Sequence, residues 1–285
     1  MRSLIPGVLE VTKPNGAAAP VVLDSPHSGT QYPADFGSIA PAHVIRKAED
    51  AFVDELFAAA PQCGASLLRA LFPRTYIDPN RSLDDIDQAL LDEAWPEPVR
   101  PSEKTRLGHG LVWRICPPDH AIYDRKLPVA EMRGRIDTYW RPYHAALRGA
   151  LDEAHRRFGA VWHINCHSMP TMAAPGMSNA PSGWSDFVLG DRDGSTSDPE
   201  FTNLIAETLR GYGYDVRLND PYKGVELIRA YSDPGRRRHG VQIEINRSIY
   251  MDELNVERNG GFAGLRDNLT RLTEVVCAYA RAAAA

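Results

Sequence analysis

Ala160-Val161-Trp162-His163-Ile164-Asn165 is the stretch of sequence that decides the fold. This apolar run predicts a strand buried inside a sheet. Gly159 precedes the run and ends a helical pattern over residues 132–158, in which Pro142 is a candidate kink. A helix that leads directly into a buried strand is the repeating unit of layered α/β folds.

The same alternation of strands and helices extends in both directions from this unit. Further strands are predicted at 21–23, 66–71, 74–77, 187–189 and 241–246, and further helices over 41–60, 199–212 and 262–284. Residues 1–20 are rich in Gly, Ala and Pro and are predicted to form an N-terminal tail. We therefore expect one α/β domain over residues 1–285, because no repeat or linker divides the chain.

Composition excludes several classes of protein. The chain has 285 residues, of which 24% are charged, and a formal net charge of −5. Basic residues cluster only at 236–238, which is too little for a nucleic-acid partner. No apolar segment approaches the roughly 20 residues of a membrane span, and none follows Arg2 as in a secretory signal. Four scattered cysteines indicate neither a disulfide framework nor a zinc module, so a cytoplasmic location is expected.

Residues 84–128 are rich in Pro, Asp and Gly and predict long irregular excursions with a short strand at 110–113. Loops of this length are uncommon in compact domains unless they are functional. We therefore expect these residues to cover a site.

His27 and His167 each stand near the end of a predicted strand and are each followed by serine. Asp50 lies in the helical region between them. Catalytic zinc commonly takes three ligands of the histidine and carboxylate type and leaves one position for water. These three residues are the candidate metal ligands. The alternative is that each histidine is structural, which is the more common role for a single histidine.

Glu244 is the candidate general base. It lies on the predicted strand 241–246, where an inward-facing carboxylate is costly without a function. A carboxylate beside a metal site can take a proton from water and pass it to a leaving nitrogen. The alternatives are that Glu244 faces solvent or pairs with Arg247.

Arg74, Asn80 and Arg81 form a compact group of hydrogen-bond donors. An arginine fork matches a carboxylate through two parallel hydrogen bonds, and an asparagine amide adds another donor. The group suits a small-molecule substrate with one or two free carboxylates. The alternative is that the arginines cap carbonyl groups or pair with local acids, namely Asp84, Asp85 and Asp87.

Nucleophilic and nucleotide-dependent mechanisms receive no support. Cys166 and His167 are adjacent on a strand and point to opposite faces, so they cannot form a simple nucleophile and base pair. The chain contains no Gly-x-Ser-x-Gly elbow, no phosphate-binding loop and no dinucleotide fingerprint.

These residues belong to a series of blocks that occur in order along the chain. The blocks are Ser25-Pro26-His27-Ser28-Gly29 with Tyr32-Pro33, residues 49–57, Arg74 with Ile77-Asp78-Pro79-Asn80-Arg81, Tyr143-His144, residues 165–170, residues 242–247 and residues 250–253. From about Val21 to Glu253 the chain resembles the N-formylglutamate amidohydrolase family, within the zinc carboxypeptidase-like and aspartoacylase-like hydrolases. The resemblance implies a three-layer αβα sandwich of the phosphorylase/hydrolase-like type, with a mixed, mostly parallel central sheet.

The resemblance also implies a reaction, the hydrolysis of N-formyl-L-glutamate to formate and glutamate at the end of a histidine-degradation route. A metal ion, zinc or another divalent cation, would be held by His27, an acidic ligand and His167. Glu244 would be the general base and Arg74 would polarise the scissile carbonyl. Asn80 and Arg81 would hold a substrate carboxylate.

The chain departs from the carboxypeptidase-like pattern at one metal ligand. That pattern has an acidic ligand three residues after the first histidine, where this chain has Thr30. Asp50 is the expected replacement, with Glu49 as the alternative. Arg192 and Arg247 are further candidates for meeting the substrate carboxylates.

Two other functions stay open at the level of sequence. One is a deacylase or carboxypeptidase-like enzyme that acts on another N-acyl amino acid or a short peptide. The other is a non-catalytic protein that binds a metal or ligand. An intact set of metal ligands beside a candidate base favours an enzyme over a binder.

Overall fold

The computed structural model describes residues 2–171 and 185–285. The strands of these residues are β1 (Arg2–Ile5), β2 (Leu9–Thr12), β3 (Val21–Ser25), β4 (Ser66–Ala70), β5 (Ile115–Cys116), β6 (His120–Ala121), β7 (Val161–Met169), β8 (Phe187–Gly190), β9 (Val216–Leu218), β10 (Arg238–Asn246), β11 (Met251–Asp252) and β12 (Glu257–Arg258). The α-helices are α1 (Ala42–Lys47), α2 (Val53–Leu56), α3 (Ala60–Cys63), α4 (Glu103–Arg106), α5 (Val129–Arg135), α6 (Arg141–Phe158), α7 (Pro199–Gly211), α8 (Glu226–Tyr231) and α9 (Phe262–Ala284). A π-helical turn, Ile136–Trp140, joins α5 to α6 just before Pro142.

In the described ranges, eight strands form one mixed sheet in the order β1-β2-β4-β3-β7-β10-β8-β9. The central neighbours β4, β3, β7 and β10 are all parallel, as are β8 and β9. The pairs β1 with β2, β2 with β4 and β10 with β8 are antiparallel. The predicted mixed, mostly parallel sheet is therefore confirmed, and β7 near its centre contains residues 161–165 of the sequence pattern.

Helices cover both faces of the sheet. Strand β3 shows the division, because Val21 and Leu23 pack on one face with α2, α7 and α9, whereas Val22 packs on the other with α5 and α6. Alternate residues of a strand point to opposite faces, so one apolar strand supplies two cores. This arrangement confirms the three-layer αβα sandwich.

The first twenty residues correct the sequence analysis, since they are not a tail. Strands β1 and β2 form an antiparallel pair, and β2 extends the sheet beside β4. Val8 and Leu9 are buried by this pairing. The Gly, Ala and Pro content that indicated a tail belongs to residues 14–20, after the hairpin has ended.

Three smaller predictions were also wrong. Residues 74–76 form a turn and Ile77 lies outside any strand, because Pro73 and Pro79 on either side lack the N–H group that a strand ladder needs. Residues 110–113 contribute only an isolated bridge between His109 and Trp113. The helix predicted over 41–60 is divided into α1, α2 and α3, with the first break at Asp50.

In the described part of the chain, no helix has both the length and the apolar composition needed to cross a bilayer.

Gly29 is the residue that lets the turn after β3 pack closely against the chain leaving β4. A Cβ atom at this position would lie 2.3 Å from the Phe72 carbonyl oxygen. We expect Gly29→Ala to reduce the free energy of unfolding by about 2 kcal/mol or more, because backbone must move to admit the methyl group. Urea denaturation measures the change.

Gly149→Ala is the matched control, because no atom lies within 4 Å of the added methyl group in α6. Alanine is the better helix former, so this variant should be as stable as the parent or more stable. A Gly29→Ala protein with unchanged stability would contradict the close packing described here.

Candidate metal centre

His27, Asp50 and His167 meet in the interior of the protein. Their ligand atoms all lie within 4.8 Å of one another. Asp50 Oδ2 lies 3.2 Å from His27 Nδ1 and 2.9 Å from His167 Nδ1. The three residues are at most 3% exposed. The structure thus brings together the three predicted ligands, and it places Asp50, rather than Glu49, between the two imidazoles.

The parallel sheet explains how distant residues meet. Strands β3 and β7 are parallel neighbours, so residues near their carboxyl ends lie at the same edge. His27 follows β3 by two residues, whereas His167 lies inside β7, which extends further than its apolar run predicts. Asp50 joins them from the break after α1, where its N–H donates to the His27 carbonyl at 3.0 Å.

Both imidazoles are oriented by partners on their outer nitrogen atoms. His27 Nε2 lies 2.7 Å from Asp78 Oδ1, and His167 Nε2 lies 2.7 Å from Asn165 Oδ1. When Nε2 carries the hydrogen in each ring, Nδ1 keeps a lone pair that points towards Asp50. Metal-binding histidines are commonly held in this way by a carboxylate or carbonyl group.

A buried network fixes the Asn165 amide that orients His167. Asn165 Nδ2 donates to Asp24 Oδ1 at 2.9 Å, so its oxygen must face His167. Asp24 also accepts hydrogen bonds from Tyr143 and His163. Burial opposes ionisation of Asp24, but the hydrogen bonds from His163, Tyr143 and Asn165 lower the pKa of its carboxyl overall. The charge of Asp24 therefore sets the direction of the amide.

Asp50 remains a carboxylate in spite of its burial. Desolvation would raise its pKa, but the positive charge of Arg74 and the contacts with the His167 and His27 rings hold the pKa well below its usual range. An ionised oxygen flanked by two imidazole nitrogen atoms is a donor set that zinc and related divalent cations accept. The residues present therefore fit a metal ion.

Glu244 lies beside this centre. Its Cα pairs with that of His167 across β10 and β7, so both side chains leave the same face of the sheet. The side chain lines a cavity and is not at the outer surface. Burial and the negative charge of Asp50 raise the pKa of Glu244 to about 8. Cys166 precedes His167 on β7 and points to the other face of the sheet, where it packs in the core formed with α2, α7 and α9.

Gln242 holds one oxygen of Glu244. Its Nε2 donates to Glu244 Oε1 at 2.8 Å, and its own oxygen accepts from the Val225 N–H at 3.1 Å. The Val225 contact fixes the Gln242 amide with its nitrogen towards Glu244. Among the described residues Glu244 Oε2 has no such partner, so this is the oxygen available for proton transfer.

Arg74 and Arg81 also line the cavity, and both are tied to acids at the metal centre. Arg74 contacts Asp50 Oδ1 at 3.4 Å and Asp78 Oδ2 at 3.0 Å, and its guanidinium lies 4.8 Å from the centre of the Trp113 ring. Arg81 Nη1 lies 3.7 Å from Asp78 Oδ2. The alternative is confirmed for Arg81, which donates to the carbonyl groups of His109 and Asn80 at 3.0 and 2.9 Å and lies 3.9 Å from Asp85 Oδ2. The acid that both arginines share is Asp78, which also orients His27.

Asn80 faces the same cavity. Its oxygen accepts the Leu227 N–H at 3.0 Å, which turns its amide nitrogen to within 3.1 Å of His167 Nε2. That ring nitrogen already donates to Asn165 in the arrangement above and cannot also accept. The Asn80 amide hydrogens therefore stay available to a ligand.

Arg247 contacts Asp50 and the backbone next to it. Its guanidinium donates to Ser168 Oγ at 3.1 Å and to the Lys47 carbonyl at 3.0 Å. It also donates to the Glu49 carbonyl at 2.8 Å and to Asp50 Oδ1 at 3.2 Å. These contacts hold Asp50, and Arg247 also lines the cavity, so its contact with a substrate carboxylate stays a prediction.

Arg192 is a correction, because it lies outside the cavity. Arg192 lies in the loop after β8, where its Nη1 donates to the Gly224 carbonyl at 3.0 Å. Strand β8 runs antiparallel to β10, so its carboxyl end points away from the edge that carries Glu244. Sequence patterns predicted the strand but not its direction.

The cavity has a volume of about 780 Å³. Its wall includes Lys104, His109 and Trp113, which confirms that residues 84–128 cover the site. Sequence reasoning missed Lys104 on the cavity wall and the contacts of Asp78 with His27 and of Gln242 with Glu244. For Asp78 and Gln242 the available signal was their position inside the quoted blocks that also contain Asn80 and Glu244.

Comparison with known proteins supplies the family. A sequence model of N-formylglutamate amidohydrolase matches residues 19–251, which is most of the chain. The chain belongs to this family. The crystal structure of N-formylglutamate amidohydrolase from Ralstonia eutropha JMP134 is 52% identical, covers 97% of this chain and 99% of its own, and has a TM-score of 0.94.

Curated relatives are more distant. N-formylglutamate deformylase from Pseudomonas putida is 29% identical over 82% of this chain and 82% of its own length. The protein of the same name from Pseudomonas aeruginosa PAO1 is 29% identical over 82% of this chain and 83% of its own length. A structure from Agrobacterium tumefaciens, 18% identical over 95% of both chains with a TM-score of 0.70, shows the fold alone.

His144 supports the loop that carries Asn80. Its ring stacks on Trp140 with the ring centres 3.5 Å apart. Nε2 donates to the Pro79 carbonyl at 2.8 Å, and Nδ1 accepts from the Tyr231 hydroxyl at 2.7 Å. This pattern requires a neutral ring. Burial lowers the pKa of His144 to about 4.

The neutral state of His144 predicts a loss of stability in mild acid. An unfolded histidine has a pKa of about 6.5, so the folded state binds fewer protons between that value and about 4. The stabilisation from this group is complete above pH 6.5 and declines as the pH falls. We expect about 2 kcal/mol of unfolding free energy to be lost between pH 7.5 and 5.0.

Urea denaturation of the parent and His144→Gln at both pH values isolates this effect. The variant should have a lower free energy of unfolding than the parent at pH 7.5. The difference in unfolding free energy between the two proteins should be smaller by about 2 kcal/mol at pH 5.0. His43→Gln, at an exposed position, should follow the parent. Equal pH dependence of parent and His144→Gln would show that the ring is not held neutral.

Proposed function

We propose that this protein is a metal-dependent amidohydrolase that cleaves N-formyl-L-glutamate to formate and L-glutamate. The observation that carries the proposal is the convergence of His27, Asp50 and His167 with Glu244 on one cavity. The printed names of the relatives from Ralstonia and Pseudomonas support the same reaction. Zinc is the proposed metal because two imidazoles and a carboxylate suit it, although other divalent cations share this preference.

The metal ion would be held by His27, Asp50 and His167. When bound, it would supply Lewis-acid polarisation of the scissile carbonyl and a lower pKa for water. The chain supplies the correct ring tautomers through Asp78 and Asn165.

Glu244 moves the proton. Oε1 is held by Gln242, so Oε2 accepts a proton from the attacking water and later passes it to the departing amide nitrogen. A carboxyl group with a pKa of about 8, within about one unit of pH 7, can both accept and return a proton near neutral pH. Transfer from one residue in this way is worth about 10²- to 10⁴-fold in rate.

Arg74, Arg81 and Asn80 orient the substrate. Arg74 and Arg81 keep a positive charge beside the metal centre, and Asn80 offers amide hydrogens to the same space. An anionic amino-acid derivative would thereby be held with its amide towards Glu244. Positioning of this kind converts binding into an increase in rate.

Glu244→Gln tests the assignment of the base. The amide keeps the shape of the side chain but cannot take the proton, so the rate of formate release should fall by about 10²- to 10⁴-fold. Metal content should remain near that of the parent, because Glu244 is not among the three ligands. Formate release and metal analysis of the same preparation measure both.

Glu257→Gln is the matched control, since Glu257 is exposed on β12. It should retain full activity. An active Glu244→Gln protein would reject Glu244 as the base, while parallel loss of activity and metal would indicate a structural role.

Metal removal tests the other half of the proposal. Dialysis against a chelator should abolish formate release, and addition of Zn²⁺ should restore it, because the carbonyl and water are not activated without the cation. His167→Gln should prevent restoration, whereas His120→Gln, at an exposed position, should not. Undiminished turnover by protein that metal analysis shows to be metal-free would overturn the proposed dependence.

A further inference from the structure

The cavity is lined by several cations that differ in how they are paired. The basic residues on its wall are Arg46, Lys47, Arg74, Arg81, Lys104 and Arg247. Each of these arginines forms an ion pair with a carboxylate of this chain. The Nζ atoms of Lys47 and Lys104 contact no acceptor within residues 2–171 and 185–285. Two cations therefore remain for a ligand.

The surroundings of the two lysines differ. Asn255 and Lys47 both act on the exposed carboxylate of Asp252 and lower its pKa, so an acid already stands near Lys47. Lys104 stands near Arg81 and Arg74, and the carboxylates of Glu244 and Glu103 offset only part of their positive charge. Partial removal from water and the charges of Arg81 and Arg74 lower the pKa of Lys104. An anion would relieve repulsion at Lys104 more than at Lys47.

The backbone of Lys104 is firmly held although its side chain is not. Helix α4 is capped by Ser102, whose N–H and hydroxyl both donate to the buried Asp85 carboxylate at 2.7 and 3.0 Å. Thr105 donates to the same carboxylate. The Lys104 carbonyl accepts the His109 N–H at 2.8 Å. A fixed backbone with an uncommitted ammonium group suits a ligand contact.

The substrate carries two carboxylates, so it can use more than one of the cations in the cavity. In N-formyl-L-glutamate the α-carboxylate lies next to the reacting amide, and the side-chain carboxylate lies two methylene groups further away. Arg74 contacts Asp50, and Arg81 contacts Asp78, which orients His27, so both lie beside the reaction centre. Among the described residues Lys104 contacts none of the metal ligands, and its side chain reaches the cavity wall from α4 while part of it is exposed to solvent.

We propose that Lys104 binds the side-chain carboxylate of the substrate and so selects acidic N-formyl amino acids. The inference rests on the proposed function for the identity of the reaction. It adds a residue that determines specificity and is not one of the metal ligands. A lysine suits this role, since its long stem reaches the carboxylate without a fixed bidentate geometry.

The test compares N-formyl-L-glutamate with N-formyl-L-glutamine, which has the same shape without the side-chain charge. Lys104→Met should reduce kcat/KM for the glutamate substrate about 10- to 100-fold, mainly through KM, because a charge-assisted hydrogen bond is lost. The value for the glutamine substrate should change by less than about twofold. Lys104→Arg should keep most of the preference for glutamate.

Lys13→Met is the control for loss of one positive charge, because Lys13 is on the surface and pairs with Glu153. It should leave both substrates unaffected. Lys47→Met tests whether Lys47, rather than Lys104, contacts the side-chain carboxylate of the substrate. Equal losses on both substrates with Lys104→Met, no loss on either, or a selective loss with Lys47→Met would each overturn the proposal.

A binding measurement separates this proposal from the proposed function. If the parent releases no formate, the amidohydrolase function fails, and calorimetric titration with L-glutamate and L-glutamine then decides the role of Lys104. Selective weakening of L-glutamate binding in Lys104→Met would support it. Equal binding of the two amino acids by the parent, or equal weakening in the variant, would overturn it.

Discussion

The structure of the site depends on one buried carboxylate, that of Asp50, held between two imidazoles. Burial of an isolated charge in protein is strongly unfavourable, so a carboxylate at this depth requires several compensating partners. Arg74 and Arg247 both contact Oδ1, and His27 and His167 both face Oδ2. The two oxygens thus have separate roles. Oδ1 forms ion pairs within the protein, and Oδ2 faces the position between the imidazoles where a cation fits.

The partners of Asp50 draw distant parts of the chain together. His27 follows β3, His167 lies in β7 and Arg247 follows β10, and these are adjacent parallel strands. The sheet alone cannot orient the rings, so Asp78 fixes one and the Asp24 and Asn165 pair fixes the other. Orientation of metal ligands by a surrounding hydrogen-bonded shell is a general feature of metal sites. Here the shell explains why so many polar groups are buried on one side of the sheet.

Much of the fold follows from local pattern. Residues 160–165, 199–212 and 262–284 behave as their periodicity indicates, because each buries an apolar run or face of standard period. The failures have specific causes. The hairpin at 2–12 is short and lies beside a Gly- and Pro-rich stretch, and residues 74–77 are apolar enough for a strand but stand between prolines. Arg192 was misplaced because strand direction leaves no mark on a short apolar run.

The sequence by itself determined the residue types that the chemistry needs: two histidines, a nearby acid, a glutamate on an apolar strand and a cluster of Arg and Asn. Their spacing also placed most of them near strand ends, since hydrophobic periodicity is local. Only the tertiary structure decided which acid faces the histidines, that Arg247 contacts this acid, and that Lys104 lines the cavity. These are contacts between residues far apart in the chain, and they depend on strand order and on which nitrogen or oxygen each neighbour occupies.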